Sequence, residues 1–125
     1  MVETQLPLQH LTKRPQFLAA AKGLSSARGA VLCQMLARND DNDAIRIGFT
    51  ATKRLGGAVV RNRAKRRLRQ AARQVLADLG KPGADYVFIA RQGAAERPWP
   101  RLIEDMQRAL LSLAPKPDTP RTRQS

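Results

Sequence analysis

Residues 58–80, AVVRNRAKRRLRQAARQVLADLG, hold seven cations and no acid before Asp78. At about 100° per residue, Ala64, Leu68, Ala71, Ala72, Val75 and Leu79 fall into one stripe. That spacing predicts an amphipathic helix docked on a sheet, with small alanines permitting close approach. Opposite the stripe, Asn62, Arg66, Arg69 and Arg73 line one flank at spacings of four, three and four, while Arg63 and Arg67 line the other. Repulsion along these rows is roughly a few tenths of a kcal/mol per pair. Packing of the stripe outweighs it, and a bound polyanion reverses its sign.

The surrounding charge sharpens the point. No acid stands between Asp43 and Asp78, an interval that holds Arg46, Lys53, Arg54, Arg61, Arg63, Lys65, Arg66, Arg67, Arg69 and Arg73. Over the 125-residue chain, 23 Lys and Arg against 10 Asp and Glu leave a net charge of +13. A solvated helix face is the plain reading of a charged run, but it normally mixes signs. An unopposed patch favours a polyanionic partner. Arginine predominates, and its planar fork suits phosphate and stacks on bases. A membrane surface would take the charge too, yet the other face carries alanine rather than bulky anchors. A DNA-binding basic helix would bring a heptad or a helix-turn-helix partner, and neither is present. RNA is the favoured partner.

Around this helix the chain reads as one domain of modest core. TKRPQFLAAAKG predicts a short helix, with Pro15 in the first turn and Gly23 at the end. GAVLCQMLAR has strand length and closes on the turn NDDND. AIRIGFTA alternates Ile45, Ile47 and Phe49 with Arg46, Gly48 and Thr50, the pattern of a half-buried strand. TKRLGG is a cationic loop, GKPG a turn, and ADYVFIAR a strand apolar enough to be covered on both faces. PRLIEDMQRALLSL repeats apolar residues at Ile103, Met106, Leu110 and Leu113, a helical spacing. The elements thus run α-β-β-α-β-α over residues 1–114, with a disordered proline-rich tail over 115–125.

The remaining candidates read as structural. His10 is the only histidine and falls in an N-terminal segment expected to be mobile, so no catalytic histidine pair exists. Cys33, the only cysteine, reads as a small core residue; it excludes an internal disulfide and suits a reducing cytosol. Asp40, Asp41 and Asp43 form a turn cluster without the full calcium-loop pattern, and no metal site is expected. Glu104 and Asp105 read as dipole-favouring acids near a helix start, and Trp99 as packing at that helix's entry. No residue is assigned a catalytic role. The start MVETQLPLQHL has no signal-peptide core, and no apolar run reaches the ~20 residues of a membrane span, so a cytoplasmic protein without a membrane partner is expected.

The run RIGFTATKRLGGAVVRNRAKRRLRQ, residues 46–70, resembles the bacterial ribonuclease P protein component. Arg61, Asn62 and Arg63 match that family's Arg-Asn-Arg signature, and Lys65, Arg66, Leu68 and Arg69 the basic residues after it. KRPQF, DYVFIAR and the last helix follow in the family's order, so the likeness spans residues 8–113. It implies a compact α/β domain, an α+β sandwich with helices packed on a central, mostly antiparallel sheet. It also implies a left-handed β-α-β crossover from strand 44–51 to strand 84–91, where general rules favour the right hand in about 98% of cases. The implied function is to assist a catalytic RNA in removing the 5′ leader of precursor tRNA. Under that resemblance Arg61, Asn62, Arg63, Lys65, Arg66, Arg67, Arg69 and Arg73 contact the RNA subunit. Phe17, Lys53, Arg54 and Arg14 meet the leader in a cleft between the first helix and the sheet. Mg²⁺ enters through the RNA, and the protein is a monomer in a 1:1 complex with it. Ala21 and Cys33 stand where relatives often carry aromatics, and Gly57 where they often carry a polar residue. A structural RNA-binding protein of the ribosomal type shares the composition without needing this ordered signature. A protein-only nuclease would need clustered carboxylates that the basic stretch lacks.

Overall fold

The computed structural model describes residues 8–115. The alternation Ile45-Ile47-Phe49 becomes strand β4 (Ile45–Ala51), and the apolar run before it becomes β3 (Val31–Ala37). The doubly apolar segment becomes β5 (Ala84–Ala90), buried without interruption from Ala84 to Phe88. The helices are α1 (Arg14–Ala21), α2 (Ala58–Leu79) and α3 (Trp99–Leu111). Pro15 sits in the first turn of α1, where a missing N–H is harmless.

Three further strands complete the sheet: β1 (Leu8–His10), β2 (Leu24–Arg28) and β6 (Ala114–Pro115). Periodicity does not announce them. LSSAR in β2 is polar and short, and it becomes a strand by pairing with β3 through the two-residue turn Gly29-Ala30, which Gly29 opens at φ 53°. β1 places His10 in parallel register with Ile47, so His10 belongs to a strand. Pro115, assigned by sequence to the tail, pairs with Leu24; residues 116–125 of that tail lie outside the described residues.

The sheet order is β1-β4-β5-β3-β2-β6. The β1–β4 and β4–β5 pairs are parallel; β3–β5, β2–β3 and β2–β6 are antiparallel. β4 and β5 are thus adjacent parallel strands joined through α2.

Helices α2 and α3 cover one face. Val31, Cys33, Tyr86 and Phe88 of the sheet meet Ala64, Leu68 and Val75 of α2 and Leu102 and Met106 of α3. α1 covers part of the other face, where Leu11 and Ala20 pack on Val87 with Phe17, Leu36 and Ile89 at the margin. The helical stripe differs in two details from its sequence reading. Leu76 is buried in α2 and Leu79 only partly, and α3 stops before Leu113, which still packs on the core.

Candidate nucleic-acid interface

α2 turns its apolar stripe inward, so its cations emerge on the opposite side. Asn62, Arg63, Arg66, Arg69 and Arg73 are exposed, and Arg61, Lys65 and Arg67 are half-buried. The helix starts at Gly57 with no side-chain cap and no acid in its first turn, so the positive end of its dipole is uncompensated. Lys53 and Arg54 stand exposed in the short 3-10 turn (Lys53–Leu55) just before it. Among the described residues, the ion pairs join Arg38 to Asp40 and Asp85, Arg46 to Asp85, Arg97 to Asp105 and Arg108 to Glu104. None uses a cation of α2. Among the described residues, no acid neutralises the charge of this face.

Three of the candidate cations are nevertheless engaged within the fold. Arg46 binds buried Asp85 through two nitrogens at 2.7 Å, and Arg38 reaches the same carboxylate at 2.9 Å. Arg46 is therefore opposed in space although unopposed in sequence; its hydrogen bonds to Asp85 raise its pKa further above the ordinary guanidinium value. Arg67 donates to the carbonyls of Ala94 and Arg97 and lies 5.8 Å from the Trp99 ring centroid. Its guanidinium ties α2 to the loop before α3. Arg69 lies 5.6 Å over Phe49, whose ring stacks on Phe88 with centroids 6.0 Å apart, and Arg69 stays exposed. This cation–aromatic pair was legible only in part: alternation placed Phe49 on β4 but gave no sign of which helix would cover it.

On the other face, Phe17 is half-buried against Gly48, and Arg14 is exposed at the start of α1. Lys53 follows Gly48 by five residues, about 16 Å along an extended chain. The residues assigned to the leader thus come from two elements, Arg14 and Phe17 from α1 and Lys53 and Arg54 from the turn after β4. Cys33 is the small core residue that its apolar strand predicts. Its alternation in β3 sends the side chain with Val31 into the core under α2 and α3, away from Phe17. Burial there pushes its thiol pKa up to about 12. Ala21 is half-buried at the end of α1.

The acids also settle into structural work. Asp40 accepts hydrogen bonds from Arg38 Nε and the Asn42 amide, which hold its carboxyl below the usual carboxylate range. Asp105 lies beyond the first turn of α3, so the dipole reading fails for it. It is buried and accepts from the Ala30 amide at 3.0 Å and from Arg97. Glu104 instead pairs with Arg108 one turn on. Trp99 is half-buried at the entry of α3 and packs against the core as expected. Among the described residues, no three His, Cys, Asp or Glu side chains converge.

The sequence matches the family described as Ribonuclease P over residues 7–114. The ribonuclease P protein component of Caulobacter vibrioides is 58% identical over 109 residues, covering 87% of this chain and 73% of that protein. That of Ruegeria pomeroyi is 50% identical, covering 86% and 88%. The structure of the Staphylococcus aureus RNase P protein superposes with a TM-score of 0.68 at 26% identity, over 82% of this chain and 92% of that one. The Thermotoga maritima RNase P protein shares the fold at 23% identity and a TM-score of 0.66. With the family match running through every described element but the last residue of β6, the chain belongs to the ribonuclease P protein family.

Proposed function

We propose that this chain is the protein subunit of a ribonucleoprotein that removes the 5′ leader of precursor tRNA. In this reading it binds a catalytic RNA through the exposed face of α2, contacts the leader between α1 and the sheet with Arg14, Phe17, Lys53 and Arg54, and acts in the cytoplasm. The observation that carries the reading is the unpaired arginine rows of α2, which stand beside exposed Lys53 and Arg54 at an uncapped helix N-terminus. Backbone amides and guanidinium forks there match phosphate oxygens in charge and geometry. Hydrolysis belongs to the RNA and its Mg²⁺ ions; the protein contributes affinity and position. Such a contribution is electrostatic and falls steeply with salt.

Reconstitution tests it. The RNA-free chain should leave precursor tRNA intact at any Mg²⁺ concentration. Adding ribonuclease P RNA should release the leader at lower Mg²⁺ than the RNA needs alone. Cleavage by protein stripped of all RNA would overturn the division of labour.

A further inference from the structure

A second group of cations lies apart from the α2 rows, drawn from three different elements. Arg28 stands at the end of β2, Arg91 directly after β5, and Arg101 in the first turn of α3. All three are exposed, and among the described residues none takes part in an ion pair. They are brought to one end of the sheet by a connected set of contacts. The Arg91 amide donates to Ala30 O at 2.9 Å, and its guanidinium reaches Gly29 O at 3.4 Å, next to Arg28. Asp105, one turn after Arg101 on α3, accepts from the Ala30 amide and from Arg97. Arg97 O and Ala94 O in turn accept from Arg67 of α2. Gly29 cannot be replaced without disturbing this junction, because a Cβ there would stand 2.2 Å from Asp105 Oδ1. The acids in reach are accounted for: Asp105 is buried and paired, Glu104 is paired with Arg108, and only Glu96 is exposed on the connecting loop.

Resting on the RNA-binding reading above, we propose that Arg28, Arg91 and Arg101 form a second phosphate-binding surface for the backbone of a folded RNA, held in register with the α2 face by Arg67. The physical reasons are two. Arginines rooted on three packed elements keep their backbone positions at fixed spacing, which suits the regular phosphates of a folded helix better than a flexible strand. And Arg67, although it sits among the basic rows, uses its donors on the loop carbonyls, so its place in the pattern serves to lock the second surface to the first.

The experiment compares three proteins: wild type, R28Q/R91Q/R101Q, and R63Q/R66Q. Each is titrated at several salt concentrations with the ribonuclease P RNA of Caulobacter vibrioides and with a short unstructured oligonucleotide, and each is melted without RNA. The triple variant should melt like wild type. On the folded RNA its salt dependence should flatten by about 2–3 in the slope of log K against log salt, at about 0.9 per phosphate contact. On the oligonucleotide it should bind as wild type does. A triple variant with the wild-type slope on folded RNA, beside a flattened R63Q/R66Q, overturns the second surface and leaves the RNA-binding reading standing. Equal flattening on both probes overturns it as well, since diffuse charge would then explain the effect. Wild-type slopes for both variants on the folded RNA would overturn both readings together.

Discussion

The ring of Phe17 lies on the backbone of Gly48: a Cβ built at Gly48 would stand 2.4 Å from Cε1 and 2.6 Å from Cζ of that ring, and 3.3 Å from Leu11 Cδ1. Phe17 is thus part core and part surface. Part of the ring closes α1 onto β4, and the rest stays exposed. Gly48 has a packing reason that is independent of any ligand.

Gly48→Ala should therefore destabilise the domain by about 1–3 kcal/mol, the cost of overpacking a close contact. Phe17→Leu in the same chain should recover part of that loss by removing the ring atoms that collide. Thermal melts of the two single variants and the double variant check the coupling. Additive losses would show that the ring moves aside freely.

Arg66 and Arg67 are adjacent in sequence and opposite in role. Arg67→Ala removes two hydrogen bonds and the Trp99 contact, leaving the carbonyl of buried Ala94 without its donor. A loss of about 1–3 kcal/mol is expected. Arg66→Ala, on the exposed flank, should stay within about 0.5 kcal/mol of wild type in a melt while weakening RNA binding. Leu68, fully buried, sets the scale of a core truncation: Leu68→Ala should cost about 2–5 kcal/mol. Denaturant midpoints rank the three, and a stability loss for Arg66→Ala exceeding that for Arg67→Ala would invert the assignment of faces.

What was legible in the sequence follows from what local pattern can encode. The period of Ala64, Leu68, Ala71, Ala72 and Val75 names the buried face of α2 without any tertiary information, and all five are buried. The two-period of β4 and the unbroken apolar run of β5 are equally local. β1, β2 and β6 are not: their residues carry little apolar alternation and are strands only because an edge was open beside them. The same limit governs the charges. Arg46 looked free because its partner Asp85 lies 39 residues away, and Arg67 looked like its neighbours because the carbonyls it serves leave no mark in sequence. Cys33, read as a small core residue, is buried as that reading expects, because alternation along a strand fixes the face of each position.

At the start of α2, Gly57 has φ −74° and ψ −176°, extended geometry open to any residue, and a Cβ there would meet nothing within 4 Å. Its helix has no side-chain cap. Gly57→Asn should stabilise the domain by up to about 1 kcal/mol, from a new cap and a stiffer unfolded chain. A melt reads it directly; an unchanged or lowered midpoint would show that the first turn does not limit stability.

Alkaline stability should carry the signature of Cys33. Burial raises its pKa from 9.0 to about 12, so the unfolded chain ionises first as pH rises. The stability is fully present below pH 9.0 and declines toward about 12, because the folded state binds the proton more tightly over that window. Tyr86 adds in the same direction, its pKa raised by burial against the Lys81 amide that donates to it. Cys33→Ala should make the decline shallower without abolishing it. Denaturation midpoints of both proteins through the alkaline range decide this, and parallel curves would exclude the thiol as a contributor.

The last prediction concerns Lys53 and Arg54. Both are exposed in the turn that leaves β4, neither has an acidic partner among the described residues, and the uncapped end of α2 begins three residues after Arg54. Replacing both should flatten the salt dependence of holoenzyme binding to leader-bearing precursor tRNA by roughly one unit, at about 0.7 per single-strand phosphate. Mature tRNA should bind as before. Phe17→Ala should cost about 1–3 kcal/mol on the same substrate if its open side stacks on a base. With half of the ring committed to Gly48 and no aromatic at Ala21, the charge effect should be the larger of the two. The comparison is made with precursor and mature tRNA over one salt series, on variants whose melts are known. Equal losses on the two substrates would remove Lys53 and Arg54 from the leader path and leave Phe17 as a packing residue of α1.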